Sequence, residues 1–316
     1  MKIVILDGYT TNTGDLSWER LEKLGDLTVY SRTRPEELYE RAKDAELLIT
    51  NKTVLNGGAI RSLKKLKYIG TISTGFNVVD IQTAGELGIP VCNVPSYCTK
   101  AVAQMTFALL FSFTNHVSLH NQSVHQGEWE NSTDFCYWKA PLMELEHKNF
   151  GVYGFGSIGQ ATAKIAADLG MNVLVYSRSE KALPYGYRWV SQEALFRESD
   201  VLSLHCPLTP ETTGLVNRDT LALMKPTAYL INTSRGQVIC EQDLAEALNS
   251  GKLAGAAMDV LCKEPPEKGN PLTHCDRCII TPHISWAAED SRAWLLDTVC
   301  DNVEAFLNGT PQNRVN

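Results

Sequence analysis

Gly154, Gly156 and Gly159 spell G-x-G-x-x-G, and they do so almost halfway along a chain of 316 residues. Such a turn joins a strand to a helix packed closely against it, so it belongs to a parallel α/β sheet. Nearly half the chain precedes it. A segment of that size can bury a core of its own, so the chain is expected to hold two domains.

Both halves alternate short apolar runs with helix-like segments. Val, Ile, Leu and Tyr predict strands over 2–7, 27–31, 46–51, 68–73 and 91–94. A helix opens at Thr33, Pro35 and Glu36, where proline suits the first turn and glutamate can close a capping box. Another covers 80–87 and stops at Gly88. One long helix is predicted over 99–120. After it come strands over 150–153, 173–176, 201–205, 229–233, 254–259 and 279–281, with a helix from the glycine turn to Leu169. A last helix covers 287–308. This alternation predicts α/β architecture, with mostly parallel sheets covered on both faces. No flexible linker separates the halves, so the helices over 99–120 and 287–308 are the expected crossings.

Composition excludes several classes. Charged residues at 21%, hydrophobic residues at 44% and a net charge of −7 are ordinary for a soluble globular protein and give no phosphate-tracking face for nucleic acid. Nine scattered cysteines, an odd number, predict reduced thiols in the cytoplasm, not a disulfide framework. Asp7 and Gly8 end the first apolar run too soon for a signal peptide, and the apolar stretch 105–113 is too short for a membrane span.

The glycine turn has the context that a dinucleotide site requires: a strand before, a helix after, and a second strand about twenty residues on. Gly154 permits the tight turn, Gly156 lets backbone approach a pyrophosphate, and Gly159 lets helix and strand pack closely. Ser157 and Ile158 lie on the rim of the helix N-terminus, whose N–H groups suit phosphates. The second strand runs into Tyr176, Ser177, Arg178 and Ser179 with no acid at its end. An acid there would hold the ribose hydroxyls of NAD; Arg178, helped by Ser177 and Ser179, can instead pair with the 2′-phosphate of NADP. NADP is favoured over NAD, although Glu180 is close by and a solvated surface arginine is the plain alternative.

Three later segments fall at or just past strand ends: Asn232-Thr233-Ser234-Arg235-Gly236, Asp259-Val260-Leu261-Cys262-Lys263-Glu264-Pro265, and Thr281-Pro282-His283-Ile284-Ser285-Trp286. That is the sheet edge where ligands bind in open α/β folds. With these motifs in this order, essentially the whole chain resembles the D-isomer-specific 2-hydroxyacid dehydrogenases. Asn51-Lys52-Thr53, Gly75-Phe76-Asn77-Val78-Val79-Asp80, Val91-Cys92-Asn93-Val94-Pro95, Val102-Ala103-Gln104 and Asp134-Phe135-Cys136-Tyr137-Trp138 are most similar to the glycerate dehydrogenase, or hydroxypyruvate reductase, branch.

The resemblance implies a Rossmann nucleotide domain over 99–286 and a flavodoxin-like substrate domain over 1–98 with 287–316, both doubly wound, with the active site in the cleft between them. It implies hydride transfer between NAD(P)H and a small 2-keto acid such as hydroxypyruvate or glyoxylate. His283 would give the proton as general acid, Glu264 would orient the imidazole and favour its charged form, and Arg235 would clamp the substrate carboxylate. Relatives of the formate dehydrogenase type carry Gln where Glu264 stands, so the glutamate implies acid–base work. Ser73, Thr74 and Gly75 would aim backbone N–H groups at the carboxylate; Lys52 would add a cation, or be a solvated lysine; Trp286 would wall the pocket, or start the closing helix. Further cofactor contacts would be Cys206, Pro207, Thr212, Thr233, Ser234 and Asp259, with Thr106 either a contact or helix core. The aromatic block 134–138 implies packing in a homodimer. No added regulatory domain is expected after the closing helix. The same constellation occurs in nucleotide-sensing, corepressor-like relatives, which is the alternative function.

Two signals point elsewhere only weakly. Cys275-Asp276-Arg277-Cys278 is a lone C-x-x-C, expected as two free thiols. His116 and His120 sit four apart with His125 nearby, but lack a carboxylate at zincin spacing. No metal is expected.

Overall fold

The computed structural model describes residues 1–180, 182–184 and 186–316. The chain divides into two compact units, Met1–Cys98 with Ala287–Asn316, and Thr99–Trp286.

The first unit is built on β1 (Lys2–Ile5), β2 (Asp26–Val29), β3 (Leu47–Thr50), β4 (Tyr68–Thr71) and β5 (Val91–Cys92). All are parallel, in the order β2-β1-β3-β4-β5. Every residue of β3 and β4 is buried, as continuous apolar runs in a sheet covered on both faces require. Val4, Leu6, Leu48, Ile69 and Val91 form one core layer. On the opposite face the C-terminal helix Glu289–Leu307 lays Phe306 on Tyr68, ring centroids 4.9 Å apart.

The second unit is built on β6 (Asn149–Tyr153), β7 (Asn172–Tyr176), β8 (Arg188–Trp189), β9 (Val201–Leu204), β10 (Tyr229–Asn232), β11 (Gly255–Met258) and β12 (Cys278–Ile280). They are again parallel, in the order β12-β11-β10-β9-β6-β7-β8. The first sheet has the flavodoxin-like order and the second the Rossmann order, each with one point at which the order reverses. Leu202, Leu204, Leu230, Ala256 and Met258 fill one face, and Phe150, Val152, Val173, Val175 and Ile231 the other.

Local differences from the sequence reading have local causes. The helix expected over 99–120 is two helices, Thr99–Thr114 and Val117–His125, with His116 left-handed between them (φ 48°). The Thr114 carbonyl, which a continuing helix would use, accepts from Met143 N–H at 3.0 Å instead. The segment expected to open at Thr33 begins as a short 3-10 turn, Pro35–Glu37. Glu37, not Glu36, accepts from the Arg34 N–H (2.9 Å), and the Thr33 hydroxyl is spent on the Leu6 carbonyl (2.5 Å). Strand β8 is two residues long, too short for any periodicity to reveal. Asp80 and Gly88 do punctuate their helix: Asp80 accepts from Thr83 N–H at 3.0 Å, and Gly88 stands at φ 71°.

Candidate active site and cofactor cradle

The glycine turn leaves β6 at the reversal point of the second sheet, beside β9. Gly154 is left-handed (φ 100°), and a Cβ on it would stand 2.8 Å from the His205 carbonyl. A Cβ on Gly159 would stand 2.1 Å from the Gly154 oxygen, so helix Ser157–Asp168 lies on the turn itself. Gly156 differs: its φ is −80°, and a Cβ there would meet nothing within 4 Å. Neither its backbone nor its neighbours require glycine, and the missing Cβ leaves the front of the turn open. Gly156 also begins the helix with no side-chain cap, and Gly156 and Ser157 are exposed while Ile158 is half-buried. The turn fits a pyrophosphate.

Around it, the expected cofactor residues divide. Ser177 donates to the Ser179 carbonyl (3.0 Å), and Arg178 and Ser179 are exposed just past β7. Cys206 is buried, which pushes its thiol up to about 11, and Pro207 is exposed. The Thr212 hydroxyl closes its own turn, donating to the Pro207 carbonyl (2.7 Å) and accepting from Thr209 N–H (2.8 Å). Thr106 was expected as either a contact or helix core. It has no exposed surface, and its hydroxyl donates to the Val102 carbonyl one turn back, so it is helix core. Thr233 is the opposite case: its hydroxyl oxygen is buried with no partner among the described residues.

The loops after β10, β11 and β12 lie side by side because the strands do. Buried Asn232 shapes the first loop, donating to the Arg235 carbonyl (2.9 Å) and accepting from Ser234 N–H (2.9 Å) and hydroxyl (2.7 Å). Arg235 is exposed, its guanidinium donating to the Ser234 carbonyl at 2.7 Å. A Cβ on Gly236 would stand 2.0 Å from the Leu261 carbonyl carbon, so glycine alone lets the Arg235 loop lie against the loop that carries Glu264. Gln237 donates across to the Cys262 carbonyl (2.8 Å), and Glu241 accepts from Cys262 N–H (2.7 Å).

Glu264 and His283 meet. His283 Nδ1 lies 2.6 Å from Glu264 Oε2, and Glu264 Oε1 accepts from Leu261 N–H at 3.1 Å. A carboxylate so placed accepts a hydrogen bond from Nδ1–H, which leaves Nε2 as the nitrogen turned away from Glu264. His283 is itself left-handed (φ 55°), held by its N–H donating to the Asp259 carbonyl at 2.8 Å. Asp259 is 1% exposed, and its carboxylate accepts from Thr281 hydroxyl (2.6 Å), Ile284 N–H (2.9 Å) and Ser285 N–H (2.9 Å). The Asp259 side chain therefore clamps the His283 loop. Trp286, half-buried, ends this unit.

The loops after β10, β11 and β12 thus carry an exposed guanidinium and a carboxylate–imidazole pair, in the unit that also holds the open glycine turn. A family model described as D-isomer specific 2-hydroxyacid dehydrogenase, NAD binding domain, matches residues 107–285. The chain belongs to that family. The dehydrogenase is 49% identical to a hydroxypyruvate reductase of Blautia hydrogenotrophica over the whole of both chains. It is 38% identical to a glycerate dehydrogenase of Methylorubrum extorquens, covering 89% of this chain and 88% of that one. Among solved structures, an acyclic imino acid reductase in complex with NADPH and D-Arg matches all of both chains with a TM-score of 0.88 at 30% identity. The dehydrogenase thus falls with the glycerate dehydrogenase branch, and its chemistry is hydride exchange between NAD(P) and small 2-hydroxy acids.

In the first unit of the dehydrogenase, Lys52 extends an exposed side chain from a loop whose backbone is fixed by Asp7. The 73–75 loop is tied to the exit of β5: Val94 N–H donates to the Ser73 carbonyl (3.0 Å) and the Thr74 hydroxyl to the Val94 carbonyl (2.8 Å). Cys275 and Cys278 are free, Cys275 donating to Asn249 Oδ1 (3.4 Å) and burial pushing the Cys278 thiol up to about 12. His120 is held by the His116 carbonyl (2.9 Å) and Lys139 N–H (3.0 Å). No group of metal-ligating side chains occurs among the described residues, and no helix among them is long and apolar enough to cross a membrane.

The sequence predicts Asp259 as a cofactor contact and gives Asn232 and Asp7 no site role. Each is a short acceptor side chain near the end of an apolar strand, where loop N–H groups need a partner, but which loop it meets is not written locally.

Proposed function

We propose that the enzyme reduces hydroxypyruvate to D-glycerate or glyoxylate to glycolate, with His283 as proton donor and NADP(H) preferred over NAD(H). One observation carries the reading: Glu264 holds His283 through Nδ1, so Nε2 is the atom that can protonate a keto oxygen. The nicotinamide supplies the hydride when it is bound. Glu264 keeps the ring in one tautomer and stabilises the imidazolium. Arg235 pairs with the substrate carboxylate through its planar fork, and its charge polarises the adjacent carbonyl.

We assign unit Thr99–Trp286 to the nucleotide and the other unit to the substrate, through the N–H groups of Ser73, Thr74 and Gly75, with Lys52 adding charge. The turn at Gly154, Gly156 and Gly159 takes the pyrophosphate; Thr233 offers a hydroxyl that lacks a protein partner; Arg178 reads the 2′-phosphate. The aromatic segment supports a homodimer: Trp129, Phe135, Trp138 and Leu142 are exposed, Phe135 at 89%, and a patch of that kind calls for a partner surface. Nine free cysteines support a reducing compartment such as the cytoplasm.

The test is His283→Gln with a keto-acid panel and both cofactors. Loss of a positioned general acid is expected to lower kcat by about 10²–10⁴-fold, with NADPH binding by fluorescence unchanged. Near-parental turnover overturns the assignment. Tight NADPH binding by the parent enzyme with no turnover of any keto acid favours the nucleotide-sensing alternative.

A further inference from the structure

The 73–75 loop is held from behind by a chain of three side-chain amides that begins in the C-terminal tail. The tail lies antiparallel beside β5, with Val315 N–H donating to the Val91 carbonyl at 2.9 Å. From it, Asn313 Nδ2 donates to Asn302 Oδ1 (2.9 Å). Asn302, on the helix Glu289–Leu307 and 1% exposed, donates through Nδ2 to the Asn93 carbonyl (2.9 Å). Asn93, also buried, donates through Nδ2 to the Thr74 carbonyl (2.7 Å), and its N–H returns to the Asn313 carbonyl (3.1 Å). Backbone carbonyls at two of these steps fix the orientation of the Asn302 and Asn93 amides, and Asn302 then fixes Asn313.

We infer that Asn302 is a positioning residue for substrate binding: through Asn93 it sets the peptide planes of the 73–75 loop, and so the aim of the N–H groups that meet the substrate carboxylate. The inference rests on the assignment of that loop to the carboxylate made above. A buried Asn in the middle of an otherwise apolar helix face is costly to keep without a purpose of this sort. Leucine would fill the same volume without desolvating an amide. What leucine cannot do is bond at both ends, and both ends here are amide groups that lead either to the loop or to the tail. Turning the Thr74 peptide moves the N–H of Gly75 with its carbonyl, because the peptide unit is planar.

Four variants of the full chain test this: Asn302→Leu, Asn313→Ala at the relay's outer end, Gly75→Leu within the loop, and Asn302→Leu combined with Asn93→Ala. Hydrogen exchange of peptides covering 73–75 is read beside steady-state kinetics. Asn302→Leu is expected to speed exchange in the loop and to raise the keto-acid KM about ten-fold, the worth of roughly one hydrogen bond. The KM for NAD(P)H and kcat should stay within about two-fold. Asn313→Ala, which spares the buried core, should move the same two readouts in the same direction by less. Combining Asn302→Leu with Asn93→Ala should add little to the KM, as members of one relay are not additive. Unchanged exchange in the loop for both Asn302→Leu and Asn313→Ala overturns the relay. Faster exchange with an unchanged KM overturns the positioning role. In that case Gly75→Leu shows where the failure lies: a raised KM leaves the loop as the carboxylate site, and an unchanged one removes that assignment too.

Discussion

At the reversal point of the five-stranded sheet, between β1 and β3, the Asp7 carboxylate takes the N–H groups of Asn51 (2.8 Å), Lys52 (2.6 Å) and Thr53 (2.7 Å). At the reversal point of the seven-stranded sheet, between β6 and β9, the chain turns through Gly154 and leaves the front of Gly156 clear. Open α/β sheets bind ligands at this position. Three successive N–H groups are an anion site wherever they converge. In the first unit the chain has already supplied the anion, from its own first strand. In the second it has supplied glycines and no side chain. The same fold rule therefore yields one structural clamp and one open glycine cradle, and the substrate role proposed for the first unit would fall to its other loops.

Opening the clamped site should have the larger consequence. Asp7→Ala leaves three N–H groups without their charged acceptor, and unfolding of the first unit is expected to become easier by about 3–5 kcal/mol. Sulfate should recover part of that loss in the variant and little in the parent, measured as Tm against sulfate concentration, because an added anion can fill the emptied site. A variant as stable as the parent would show that the clamp is ornamental.

Filling the open site is the converse experiment. Gly156→Val should leave Tm nearly unchanged, since its Cβ meets nothing within 4 Å. It should weaken NAD(P)H binding about a hundred-fold, near 3 kcal/mol, by standing where the pyrophosphate must approach. Unchanged nucleotide affinity would mean that the cradle is not where the phosphates sit.

The two points also differ in their response to acid. His205, whose carbonyl backs Gly154, has its imidazole lowered by burial to about 4, its Nε2 beside the Ser203 hydroxyl at 2.9 Å. Between an ordinary histidine value near 6.5 and about 4, the unfolded chain binds a proton that the folded one refuses. Stability should therefore fall as pH drops through that window, by about 2 kcal/mol at pH 5 relative to neutrality. His205→Gln should flatten this part of the denaturant midpoint against pH. A slope of the same size in the variant would assign the acid sensitivity to other groups.

Much of this was legible in the sequence because it is periodic or punctuated. Apolar runs gave every strand of both sheets except β8, and Gly154 and Gly159 gave the turn, since each excludes a Cβ for a reason internal to the fold. Glu264 and His283, which meet, were legible as residue types at strand ends. Asp7 and Asp259 were not, because a clamp is a relation between neighbouring loops whose order in space follows from strand order, and strand order is not written locally. Asp7 precedes the loop it holds by more than forty residues. The break at His116 was hidden for the same reason: the Met143 N–H that ends the helix lies far along the chain.

The smallest expected effect concerns the rim of the open site. Arg178 stands just past β7, where an acid would select NAD, and Glu211 stands near enough to feel it. Hydrogen bonds from the Thr209 hydroxyl and its own backbone, with the charge of Arg178, hold the Glu211 carboxyl below the usual carboxylate range. If Arg178 reads the 2′-phosphate, Glu211 competes for the same guanidinium and repels the same phosphate. Glu211→Gln should therefore raise the ratio of kcat/KM for NADPH over NADH about two- to four-fold, the modest scale of exposed charge pairs, and the gain should shrink with added salt. Arg178→Asp should lower the ratio by more, since it removes the attraction and adds a repulsion. A ratio that ignores Arg178→Asp removes the arginine as reader. A ratio that responds to Arg178 but not to Glu211 leaves the reader in place and shows that the phosphate site takes up only one side of the guanidinium.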